Sequence, residues 1–85
     1  MAPRRTLSAS MKQKVISPAC FSRALGHLVG IGTLAADEAV NYRYGKVPRD
    51  FELLLPHGSR LRHSAQGYVI QGDNEFHKDL DWALR

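Results

Sequence analysis

No aspartate or glutamate precedes Asp37 in this 85-residue chain, while Arg4, Arg5, Lys12, Lys14 and Arg23 have already gone by. The first 36 residues therefore hold five cations and no acid. The remainder holds seven Lys/Arg and eight Asp/Glu, so the overall charge of +4 comes from the leading part alone. Cysteine is nearly absent. Cys20 stands alone, which excludes an intrachain disulfide and any Cys-x-x-Cys metal or redox pair, and points to a reducing, cytoplasmic compartment. Long apolar runs are absent too. The least polar stretch, Leu25 to Ala36, is interrupted by His27 and falls short of the roughly 20 residues that a membrane-spanning helix needs. No apolar core of a secretory signal is present at the N-terminus. Its basic, serine-bearing, acid-free composition does match an organellar transit peptide, so import into an organelle is an alternative to a solvated arm.

Chemistry-bearing motifs are equally scarce. His27, His57, His63 and His77 never pair at i, i+4 beside a glutamate, so no zincin-type site forms, and a metal centre would want three or four ligands. Gly30-Ile31-Gly32 lacks the third glycine and the preceding strand of a dinucleotide loop. Asp79 and Asp81 lie two apart and would not share a helix face. The sequence thus offers no catalytic set, no metal site and no cofactor site, and the expectation is a protein that is not an enzyme.

What is present is a readable succession of elements. Residues 1–14 have no periodicity and read as a flexible basic arm, leaving 15–85 as one small domain. Ser17 is placed to cap a helix whose first position is Pro18, with Ile16 and Phe21 spaced for a hydrophobic staple. Phe21, Ala24, Leu25 and Leu28 form its apolar face, and Gly30 ends it. Thr33 then caps a second helix from Leu34 to about Tyr44, with Leu34, Ala36, Val40 and Tyr44 inward, Asp37 and Glu38 at the positive end of the dipole, and Gly45 as its stop.

After Gly45 the period changes from helical to alternating. Phe51–Leu55, Arg60–His63 and Tyr68–Gln71 read as strands, separated by turns at Pro56–Ser59 and Ser64–Gly67. The last segment fits a helix, capped by Asp73 or Asn74 with Phe76, Leu80, Ala83 and Leu84 on one face. A strand returning along Tyr68–Gln71 is the alternative. The expected fold is α+β: two N-terminal helices in a helix-turn-helix arrangement, a small antiparallel hairpin or meander, and a C-terminal helix. The expected core is Phe21, Leu25, Leu28, Val40, Phe51, Leu53, Leu61, Ile70, Leu80 and Trp82.

A second set of cations lies in the middle of the chain: Arg43, Lys46, Arg49, Arg60, Arg62 and His63. A strand with Arg60 and Arg62 on one face and Leu61 on the other would offer two guanidiniums to phosphates. Asp37 and Glu38 count against the second helix as a DNA reader, because its N-terminus would meet the phosphate backbone. The runs Thr33-Leu34-Ala35-Ala36-Asp37-Glu38-Ala39-Val40, Tyr44-Gly45, Ser59-Arg60-Leu61-Arg62 and Gly67-Tyr68-Val69-Ile70 resemble small phage-type winged helix-turn-helix modules. The resemblance covers about residues 20–71 and departs from the pattern across 46–58. It implies a winged-helix-like fold with Arg60–Gln66 on a helix, Ser59, Arg60, Arg62 and His63 facing the groove, and leaves a dimer open.

Two functions follow as expectations. One is a small DNA-binding regulator contacting double-stranded DNA through Arg4, Arg5, Lys12, Lys14, Arg43, Lys46, Ser59, Arg60, Arg62 and His63. The other is a non-enzymatic interaction or inhibitor protein, such as a phage antagonist or a small subunit of a larger, organellar or cytoplasmic, assembly.

Overall fold

The computed structural model describes residues 11–85. It places helix α1 at Pro18–Gly30, where the sequence signals put it. The Ser17 hydroxyl accepts the Cys20 backbone N–H at 3.1 Å, which satisfies one of the free donors of the first turn. Phe21, Ala24, Leu25 and Leu28 are its buried face, and Ile16 joins the same core from just before the cap. The residue that takes the left-handed conformation after α1 is Gly32 (φ 81°), not Gly30, which is the last helical residue.

Helix α2, Ala36–Arg43, starts two residues later than the Thr33 cap would place it. Ala35 occupies the capping position without a side-chain acceptor, and the Glu38 carboxylate reaches back to accept the Ala35 N–H at 3.0 Å. Its inward face is not the expected one. Ala39 is buried, while Val40 (44% exposed) and Tyr44 (73%) face outward, contrary to the expected core. Gly45, with φ 71°, ends the helix as the sequence implied.

Three strands form a meander: β2 at Glu52–Leu54, β3 at Arg60–Ser64 and β4 at Gly67–Gly72. The β2–β3 turn closes through Gly58 N–H to Leu55 O at 3.1 Å, with Gly58 at φ 96°. Residues 60–64 are therefore a strand, in agreement with their alternation and not with the helix that the winged-helix resemblance implied for Arg60–Gln66. A fourth strand, β1 at Lys12–Ile16, pairs antiparallel with β4. It lies partly inside the stretch read as a flexible arm. Lys12, Gln13 and Lys14 belong to the sheet, and the domain extends to the N-terminal side of residue 15. Residues 1–10 lie outside the described residues, and with them the rest of the arm. The strand order is β1-β4-β3-β2, all neighbours antiparallel.

Helix α3, Phe76–Ala83, resolves the two readings of the last segment in favour of the helix. Neither Asp73 nor Asn74 caps it; Glu75 holds that position and gives no side-chain bond. From α3, Asp79 is fully buried. Its two carboxylate oxygens accept the His57 and Ser59 backbone N–H groups, each at 2.8 Å. The helix thereby pins the β2–β3 turn. Gly72 packs on the same turn: a Cβ there would lie 2.8 Å from the Ser59 Cβ, so only glycine fits. The core sits between the helices and one face of the sheet, where Ile16, Leu53, Leu61 and Ile70 meet Phe21, Leu25, Leu28 and Phe76. Leu80, Trp82 and Phe51 contribute to it from half-buried positions.

Candidate interaction surface on the open sheet face

Strand pairing fixes which residues share a face, because side chains alternate and directly paired residues point the same way. One row across the sheet is Gln13, Gln71, Arg60 and Leu54; the next is Val15, Val69, Arg62 and Glu52. These residues alternate with the core-facing Leu53, Leu61 and Ile70, so they form the opposite face. Val15 is 48% exposed and Leu54 56%, and Met11, just before β1, is 48% exposed. Val69 is buried yet stands outside the core cluster, so long polar neighbours shield it rather than a helix. It forms the floor of a shallow hollow of about 280 Å³ bounded by Gln13, Arg62, Ser64 and Gln66.

The two arginines of this face are not free cations. Glu52 lies between them, with Arg60 Nη1 at 3.4 Å and Arg62 Nε at 3.8 Å from its two oxygens. Arg62 also donates to the Gln71 side-chain oxygen. All three charged side chains remain 39% to 52% exposed, so each pair contributes on the order of 0–1 kcal/mol at most. The consequence is electrostatic: one carboxylate offsets one of two guanidiniums, and both are oriented before any partner arrives.

The other residues expected at a nucleic-acid site are dispersed. Ser59 is buried in the turn held by Asp79 and cannot meet a groove. His63 pairs with Tyr68 on the helix side of the sheet, 5.0 Å from the Tyr68 ring and opposite in facing to Arg62. Lys12 and Lys14 pair with Gly72 and Ile70, so they share the helix-side rows and stay exposed at the sheet edge. Arg43, at the end of α2, donates from Nε to the Ser22 hydroxyl at 2.9 Å. Lys46 is exposed in the α2–β2 connection. Arg4 and Arg5 lie outside the described residues. Of the expected set, Arg60 and Arg62 alone come together among the described residues.

The sequence reading missed Gln13, Val15, Glu52, Leu54, Val69 and Gln71 as companions of the two arginines. Glu52 and Leu54 could have been found from the period-two pattern of β2 alone. Gln13 and Val15 could not, because nothing in Lys12–Ile16 marks it as a strand until β4 is there to pair with it.

Among the described residues, no cluster of three or more His, Cys, Asp or Glu could hold a metal ion, and no helix is long and apolar enough to cross a membrane. No protein-family model matches the chain, and comparison with curated proteins and with solved structures finds no significant similarity.

Proposed function

We propose that this chain is a non-enzymatic docking module that receives a protein partner on the open face of its sheet. The observation that carries the reading is the composition of that face: exposed Val15 and Leu54 flank a Glu52–Arg60–Arg62–Gln71 network whose charges are partly compensated and already oriented. Apolar side chains beside prearranged arginines are what a protein interface uses, since the arginine fork pairs with carboxylates and its ordering cost is partly met in the free state. The test is a photo-crosslinking amino acid placed at Leu54, with a second placement at Leu84, just after α3, as control, in cells that produce the protein. A discrete adduct from position 54, absent from position 84 and lost when Val15→Glu is added, is expected. Identical adducts from both positions would remove the open face from consideration.

Duplex DNA is the second reading, and one observation favours it. The four strands carry Lys12, Lys14, Arg60 and Arg62 against the lone acid Glu52, a net of +3, although the described chain as a whole carries only +2. A sheet of this charge would attract phosphates. Stacking of single-stranded bases has no support from this face, because the aromatic side chains of the sheet, Tyr68 and its neighbours Phe51 and His63, cluster on the helix side. Fluorescence anisotropy of a labelled duplex at low and physiological salt, with Arg60→Ala/Arg62→Ala as control, measures it.

A further inference from the structure

On the helix side of the sheet, residues of the α2–β2 connection and of β3 and β4 border a half-open hollow of about 170 Å³. Its wall is aromatic. Tyr42 meets Phe51 edge-on at 5.0 Å between ring centres, Phe51 lies nearly parallel to His63 at 6.1 Å, and His63 leans on Tyr68 at 5.0 Å. Val47 and Arg49 complete it from the α2–β2 connection. Arg49 and His63 also border a neighbouring hollow of about 290 Å³. Arg49 is exposed and, among the described residues, makes no ion pair.

We propose that this hollow binds one flat six-membered aromatic ring carrying a carboxylate, with the ring against the wall of Tyr42, Phe51, His63 and Tyr68 and the carboxylate on the Arg49 guanidinium. Three observations select that chemistry. The volume suits one ring, since an apolar cavity of about 150 Å³ holds benzene. One face of Tyr68 is stacked on Phe21 at 3.9 Å and Phe51 lies nearly parallel to His63, so the walls offer the remaining faces and the ring edges, which a planar guest meets in the offset and edge-on geometries that aromatic pairs favour. Arg49, exposed and without an ion pair among the described residues, borders the hollow, which suits an anion and disfavours the quaternary ammonium guests of other aromatic cages. Asp50, the acid nearest in sequence, borders only the second hollow. The His63 Nδ1 contact to the Arg49 carbonyl, 3.3 Å, ties the α2–β2 connection to β3.

This site lies on the other side of the sheet from the docking face, so the two proposals stand or fall separately. The experiment is an amide NMR titration of the 1–85 chain with phenylacetate, phenylacetamide and tetramethylammonium in turn. Saturable shifts at Gly45, Phe51, His63 and Tyr68 are expected with phenylacetate. Binding of phenylacetamide should be weaker by about tenfold, the loss of one charge-assisted contact. Arg49→Gln, at an exposed position, should erase that preference, and Val47→Trp should block the hollow to all three probes. No saturable shift, an equal response to the amide, a preference that survives Arg49→Gln, or tighter binding of tetramethylammonium would each overturn the proposal.

Discussion

Asp79 has no exposed surface and is the structural centre of its end of the fold. Both of its oxygens are committed to backbone donors of the β2–β3 turn, so its contribution is bonding rather than charge pairing. Replacing it by alanine would leave two N–H groups without a partner, one of them buried. With hydrogen bonds to an ionised acceptor contributing ~1.5–3 kcal/mol each, Asp79→Ala should cost about 3 kcal/mol, read as a fall in the urea midpoint at constant slope. A loss under about 1 kcal/mol would mean that water replaces the carboxylate freely. Glu75 shows the opposite case, a carboxylate about half exposed. Its hydrogen bond and charge contact with Lys78, 2.9 Å away, hold its pKa below the ordinary glutamate value. A folded pKa lower than the unfolded one stabilises the fold above the unfolded pKa, and that contribution disappears as pH falls through the folded pKa. An NMR titration of the Glu75 carboxyl should therefore give a depressed midpoint that Lys78→Met returns to the ordinary range, with little change in stability at neutral pH because the pair is exposed.

At the scale of elements, legibility in the sequence depended on whether an element carries its own signals. α1 does: a serine cap, a proline at the first position and four apolar residues at helical spacing, and each of these holds in the fold. The three strands of the meander do as well, through alternation and turn glycines, and Gly58 and Gly67 both take positive φ. α2 carries ambiguous signals. Thr33 is a better capping residue than Ala35, but the Glu38 carboxylate supplies the bond from inside the helix and the start moves to Ala36. β1 carries almost none. Only Ile16 of its five residues is buried, and Lys12 and Lys14 gave the stretch the composition of an arm. Its strand character comes from pairing with β4, a partner more than fifty residues away, and such contacts are invisible to local pattern. This makes β1 testable as a part of the fold. Ile16→Ala removes a 6% exposed side chain from the core and should cost ~2–4 kcal/mol. It should also speed hydrogen exchange at the β1 amides before the rest of the sheet. A change within about 0.5 kcal/mol would show that β1 does not contribute to stability.

For the molecule as a whole, the arrangement of charge matters more than its total. The chain carries +4 in all, and the sheet and the helices divide the charges unequally. The strands hold +3, and α1, α2 and α3 together hold −1. Within the sheet the cations split again: Lys12 and Lys14 lie on one side, Arg60 and Arg62 on the other with Glu52 between them. A duplex laid on the open face would meet two guanidiniums, one of them offset, and each phosphate neutralised adds only about 0.9 to the slope of log affinity against log salt. That is too few contacts for tight binding at physiological salt. Glu52→Gln separates the two functional readings, because it removes the carboxylate that both arginines share, leaves the shape of the face unchanged and should alter stability by under about 1 kcal/mol. If the face receives a protein, the variant should still fail to bind duplex DNA at physiological salt, and the adduct formed from position 54 should weaken, because the arginines are no longer held in place. If Glu52→Gln instead gains duplex affinity with a steeper salt slope, and Arg60→Ala/Arg62→Ala abolishes that gain, the face is a phosphate-binding surface restrained by one carboxylate, and the protein-docking reading falls.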